Sequence, residues 1–119
     1  MNLKTYLLLL VTICGILFCP HLSHAEREIY KIVIKNHQFS PKELVVPANE
    51  KIKLIIENQD PTAEEFESYD LNREKIVTGN SKITIFIGPL KPGKYKYFGE
   101  FHEDTAQGII IATETTEEK

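Results

Sequence analysis

The sequence predicts an all-β sandwich of about seven to eight strands. Three observations carry that reading. Short runs rich in Ile, Val, Tyr and Phe recur from residue 29 to residue 113. Clusters of Gly, Pro, Asn and Asp separate them. No amphipathic helix of useful length intervenes.

The elements follow in order. Residues 29–34 alternate with Lys31 and Lys35 on the wet side, as a half-buried strand does. Residues 36–41 break that run. Leu44-Val45-Val46 is a second strand stopped by Pro47, and Ala48-Asn49-Glu50 turns the chain into residues 51–57. There Ile52, Leu54 and Ile56 share one face; Lys51, Lys53 and Glu57 share the other with Ile55. Asn58-Gln59-Asp60-Pro61 reads as a turn cluster, residues 64–68 as extended or irregular chain, and residues 70–74 as a helical turn or loop. Ile76-Val77 is a brief strand, Thr78-Gly79-Asn80-Ser81 a turn, and residues 82–87 a strand with Ile83, Ile85 and Ile87 inward. Gly88-Pro89 and Lys91-Pro92-Gly93 bracket a corner. Residues 95–98 and 108–113 complete the set, and the acidic tail 114–119 is expected to fray. This strand count in one chain fits two packed antiparallel sheets.

The first residues have a different character. Lys4 precedes an apolar run over residues 6–19, and Ser23-His24-Ala25 follows a small-x-small cleavage pattern. This predicts a secretory signal peptide, residues 1–25, and an exported domain, residues 26–119. The run falls short of the roughly 20 residues that span a bilayer. Phe18 before Cys19 and Ile13 before Cys14 argue against lipoprotein processing. Cleavage after Ala25 removes both cysteines, the single methionine and the histidines at 21 and 24. The expected mature chain therefore has no sulfur, hence no disulfide, thiolate ligand or redox dithiol. Of the 14 Lys and Arg only Lys4 leaves, so 13 face 17 Asp and Glu for a net charge of −4. That balance excludes nucleic acid as a partner.

The stretches His37-Gln38-Phe39-Ser40-Pro41, Val46-Pro47-Ala48-Asn49-Glu50, Glu57-Asn58-Gln59-Asp60 and Leu90-Lys91-Pro92-Gly93-Lys94-Tyr95-Lys96-Tyr97 together resemble cupredoxins in order and spacing. Glu64-Glu65-Phe66-Glu67 and Phe98-Gly99-Glu100-Phe101-His102 are similar to the EfeO-type members, cupredoxin-like periplasmic proteins associated with bacterial iron uptake. The resemblance covers nearly all of residues 26–119. It implies a cupredoxin-like Greek-key β-sandwich, a copper or iron ion, and a membrane iron permease or another periplasmic iron-uptake component as partner.

The departures matter as much. In blue-copper members the strand after the Pro-Gly turn ends in Tyr-x-Phe-x-Cys, followed by a His and usually a Met. Here Gly99 stands at the cysteine position, His102 at the second imidazole and Gln107 in the axial region, while Glu64-Glu65-Phe66 aligns with the His-Asn-Phe element that supplies the first imidazole. A blue-copper centre needs a thiolate in a His₂Cys plane. This chain cannot form one.

What remains is a set of oxygen and imidazole donors: Glu64, Glu65, Glu67, Glu100, His102, Glu103, Asp104 and His37. Such donors suit borderline or harder cations. With Phe66 inward, Glu65 and Glu67 share the outer face of their strand, and Glu100 faces away from Gly99. The chosen metal ligands are His37, Glu65, Glu67, Glu100 and His102. Plainer roles compete: a solvated strand face for Glu65 and Glu67, a loop histidine bonded to a carboxylate for His102, and an exposed or capping residue for His37. A one-residue slip would bring in Glu64 for Glu65. Tyr95, Tyr97, Phe98 and Phe101 read as core packing. No nucleophile set or phosphate cradle is visible, so the expectation is a periplasmic metal-binding protein rather than an enzyme, or a metal-free interaction module docking an exported partner.

Overall fold

The computed structural model describes residues 28–115. The expected signal peptide and its cleavage site, and most of the acidic tail, lie outside the described residues. Among the described residues nine strands form: β1 (Ile29–Lys35), β2 (Gln38–Ser40), β3 (Glu43–Pro47), β4 (Ile52–Asn58), β5 (Glu64–Ser68), β6 (Arg73–Val77), β7 (Ser81–Ile87), β8 (Gly93–Gly99) and β9 (Gln107–Thr113). One 3₁₀ turn, Glu100–His102, joins β8 towards β9. The all-β sandwich is as the sequence predicts. Its extra strand is β2, inside the segment that reads as a break.

The reason lies in the turn before it. Asn36 and His37 both adopt left-handed backbone, φ 52° and 56°, and Lys35 pairs with Gln38. A two-residue loop with both φ values positive matches the right-handed twist of a hairpin. The chain therefore reverses rather than leaving the sheet.

The strands make two sheets, ordered β2-β1-β4-β7 and β3-β9-β8-β5-β6. Neither is purely antiparallel as expected: β1 runs parallel to β4, and β3 parallel to β9. The chain passes repeatedly between sheets, so some neighbours arrive by crossover instead of by hairpin.

Between the sheets, Ile52, Leu54 and Ile56 of β4 are buried and stand opposite Ile87, Ile85 and Ile83 of β7. Three rings fill the same space, Phe39 from β2 of this sheet and Phe66 and Tyr97 from β5 and β8 of the other. Tyr97 lies 5.1 Å from both Phe39 and Phe66, edge-on to the former, and Phe39 meets Phe66 edge-on at 6.2 Å. The other expected core aromatics divide by parity. Phe98 faces away from Tyr97 and packs on Tyr69 at 5.6 Å, while Phe101 in the 3₁₀ turn is 48% exposed. Asn58 is buried, yet its Nδ2 donates to Thr62 O at 2.8 Å and Val77 O at 3.1 Å, and its Oδ1 accepts from Asp60 N. It ties the end of β4 to β6 across the sandwich without leaving a polar atom orphaned.

Phe66 is fully buried and touches both other rings. Phe66→Ala is expected to cost about 3–5 kcal/mol of stability, read from urea unfolding. A loss under about 1 kcal/mol would mean the aromatic cluster is not the packed centre.

Candidate metal centre

The His37 imidazole is placed by the β1–β2 turn, and that turn is pinned from outside. Asp60 Oδ1 accepts from Asn36 N at 2.8 Å and Asp60 Oδ2 from His37 N at 3.0 Å. Asp60 is 7% exposed. Burial alone would raise its carboxyl, but the amides of His37 and Asn36 outweigh that and hold it below the usual aspartate range. His37 O also accepts from Thr105 Oγ1 at 2.6 Å, which ties the turn to the loop before β9.

Glu64 opens β5 and points inward with Phe66 and Ser68. It is 1% exposed. A buried carboxylate needs donors on every side, and Glu64 has three. Oε1 accepts from Glu65 N at 3.0 Å and Phe101 N at 2.9 Å, and Oε2 lies 2.6 Å from His102 Nδ1. The His102 ring stacks on His37 with centroids 3.5 Å apart and planes 15° from parallel. His37, Glu64 and His102 thus bring three potential ligand atoms within 4.8 Å of one another.

Gly99 forms the floor. A Cβ built there would lie 2.6 Å from Glu64 Cδ and 2.7 Å from Ala106 Cβ. The Glu64 carboxylate occupies the volume a cysteine side chain would need, so a thiolate does not fit beside it. The donors that remain, two imidazoles and a carboxylate, do suit a divalent transition-metal ion.

The other carboxylates gather on the opposite face. Glu65 and Glu67 alternate outward from Glu64 and Phe66; Glu74 stands across from Glu67 on β6, and Glu100 begins the 3₁₀ turn. One oxygen from each lies within 4.8 Å of the others. Glu65 is pushed up to about 8, first by the shared contact with Glu74, then by burial and by Glu100. Glu67 rises to about 7 through Glu100 and burial.

The five ligands chosen from sequence are therefore divided. His37 and His102 meet at one site; Glu65, Glu67 and Glu100 meet at another. Glu64, left open as a substitute for Glu65, belongs with the histidines. Glu74 was not foreseen, because its place opposite Glu67 depends on β6 beginning at Arg73 instead of Ile76. Asp60 read only as a turn residue. The plainer expectation for His102, a bond to a carboxylate, is present in the same geometry. Glu103 and Asp104 join neither cluster.

A family profile described as cupredoxin-like domain matches residues 7–112. An uncharacterized protein of Rickettsia prowazekii (strain Madrid E), RP394, is 58% identical over 84 residues, spanning 71% of this chain and 67% of that one. Among solved structures, the fold is similar to auracyanin A, a "blue" copper protein from Chloroflexus aurantiacus. That match has a TM-score of 0.63 at 14% identity and covers 73% of this chain and 99% of auracyanin A. A purple cupredoxin from Nitrosopumilus maritimus matches with a TM-score of 0.55 at 19% identity, covering 71% and 99%.

The acidic face sets a pH dependence. Glu65 and Glu67 lie above the ordinary 4.5 in the folded chain, so the folded state holds more protons than the unfolded one between about 4.5 and 8. Their contribution to stability is full below 4.5 and lost as pH rises through 7 to 8. In chelator, the urea midpoint should be higher at pH 5.5 than at pH 8, and Glu65→Gln should flatten the difference. A wild-type midpoint that rises with pH over this window would contradict the assignment.

Proposed function

The chain belongs to the cupredoxin-like domain family, and from that premise we propose that it is an exported metal-binding protein holding a borderline cation through His37, Glu64 and His102. One observation carries the reading: two stacked imidazoles lie beside a buried carboxylate, one bonded to it and all three groups offering a ligand atom within 4.8 Å of the others. His102 bonds Glu64 directly, and His37, whose Nδ1 also lies 3.6 Å from Asp60 Oδ2, brings a second imidazole within 4.8 Å of the same carboxylate.

Among divalent first-row ions Cu²⁺ binds nitrogen and oxygen donors most strongly, and Fe²⁺ is also accepted by imidazole and carboxylate. Copper or iron is therefore the proposed cargo, without a blue-copper centre. We assign the protein to the periplasm, as a carrier serving bacterial iron uptake and delivering its ion to a membrane iron permease or another periplasmic component. The EfeO-type resemblance of residues 64–67 and 98–102 supports that role. No catalytic step is proposed.

A second reading is a metal-free interaction module that docks an exported partner by this acidic end. Phe101 and Tyr69, 48% and 79% exposed, favour it. Unchanged metal content after alanine replacement of His37, Glu64 and His102 would select this reading.

For the metal reading, titration of the purified chain with Cu²⁺ should show an ion bound by nitrogen and oxygen, seen by electron paramagnetic resonance, without an intense thiolate absorption band. His102→Ala should weaken that binding at least about tenfold. Absence of Cu²⁺, Fe²⁺ and Zn²⁺ binding above that of the variant would remove the proposal.

A further inference from the structure

Charge is divided unequally between the two outer surfaces of the sandwich. Because Ile32 and Ile34 are buried, strand parity puts Ile29, Lys31, Val33 and Lys35 of β1 on the outer side of the four-stranded sheet. Lys53, Ile55 and Glu57 of β4 join them, with Lys82, Thr84 and Phe86 of β7. These positions hold four lysines and one acid. Lys51, at the head of β4, reaches the same face, its Nζ 4.8 Å from the centroid of the Phe86 ring. The outer side of the five-stranded sheet has the opposite sign, with Glu43, Glu65, Glu67 and Glu74 against Lys94 and Lys96. A chain of net charge −4 beyond its predicted leader thus concentrates positive charge on one face.

The nearest acids do not neutralise it. Glu57 is held by Lys31, Nζ to Oε2 at 2.7 Å, and among the described residues no ion pair engages Lys35, Lys51, Lys53 or Lys82. Glu28, beside Ile29 in sequence, turns to the other side and accepts from Tyr30 Oη at 3.0 Å. The lysines instead surround apolar groups. Lys53 stands between Ile29 of β1 and Phe86 of β7, so one row across three strands reads apolar, basic, apolar. Ile29 is 55% exposed and Phe86 46%. In the next row Ile55 lies between Lys31 and Thr84. Strands set side by side about 4.8 Å apart make a broad face instead of a cleft, which fits a surface better than a small molecule.

We propose that the outer face of β1, β4 and β7 docks on an anionic phospholipid bilayer, with Ile29 and Phe86 entering the headgroup boundary and Lys51 and Lys53 meeting the phosphates. Apolar side chains set among lysines gain from hydrophobic contact and from attraction to anionic headgroups together, and a lysine stem lies along apolar surface while its ammonium group reaches phosphate. Two copies of this face repel each other. Its contact with the acidic face of a second copy is head-to-tail, which builds rings or filaments instead of a closed pair. A bilayer matches the sign of the face without that requirement. β1 runs from Ile29 to Lys35 before the His37 turn, about 20 Å of strand, so a bilayer at the Ile29 row leaves the imidazole end clear.

The test is vesicle co-sedimentation of residues 26–119, so that the apolar run of the predicted leader does not contribute. Vesicles of phosphatidylglycerol and phosphatidylcholine in equal parts should bind the chain at low salt, and phosphatidylcholine alone should not. Salt at about 0.5 M, where the screening length falls to about 4 Å, should release it. Lys51→Gln/Lys53→Gln should weaken binding by about tenfold or more, and Phe86→Ser should weaken it as well. Lys94→Gln/Lys96→Gln removes the same charge from the other face and should bind as the wild type does. All four lysines are exposed, so both pairs should keep the wild-type circular dichroism, and lost binding then reports the face and not the fold. No binding by the wild type, binding indifferent to salt, or equal loss in the two lysine pairs overturns the proposal. Self-association of the wild type without vesicles, abolished by Lys51→Gln/Lys53→Gln, assigns the face to a second copy and overturns it too.

Discussion

The Glu64 carboxylate is the constraint on which this end of the sandwich depends. It sits in the core at 1% exposure, where an ionised group persists only if donors surround it. Meeting that requirement draws Phe101 N and His102 Nδ1 towards β5, which sets the 3₁₀ turn after β8 and orients the half-buried imidazole. Hydrogen bonds to a charged acceptor contribute about 1.5–3 kcal/mol each, but removing the acceptor strands its donors and costs more than any one bond returns. The same carboxylate fills the space above Gly99. One side chain thus organises the turn, positions a histidine and excludes sulfur.

Its consequences pass to the other face through strand parity. Because Glu64 is inward, Glu65 and Glu67 must be outward, and the pairing of β5 with β6 gives them Glu74 as a neighbour. A five-residue strand consequently separates two unlike environments. Inside, a carboxylate is matched by an imidazole and two amides. Outside, the carboxylates meet one another and the Tyr69 hydroxyl. The difference is one of partners rather than of residue type.

Much of this was legible in the sequence. Alternation in Ile52, Leu54 and Ile56 gave β4 its buried face, and the order of turn residues gave the sandwich. The match of Gly99 and His102 to a metal-loop pattern located the relevant end of the molecule. What alternation cannot reveal is which strands become neighbours. The parallel pairing of β1 with β4, and the facing of Glu67 by Glu74, arise from chain crossings between the sheets. The Asn36 and His37 turn was hidden for a local reason: neither residue is glycine, yet both take left-handed backbone, held by an aspartate 23 positions beyond His37. Glu64 was visible as a donor but read as interchangeable with Glu65, since one position of register decides between core and surface.

The distribution of donors along the chain bears on how the protein acquires its site. His37 lies on a tight local hairpin, whereas Glu64 meets His102 across 38 positions and Thr105 reaches back 68 positions to His37. Long-separation contacts carry a closure entropy that short hairpins escape. The three-donor set exists only once both sheets have docked, because His37 comes from one sheet and Glu64 and His102 from the other. A cation held by that set would stabilise only the fully folded chain, by an amount that grows with the logarithm of its free concentration over its dissociation constant.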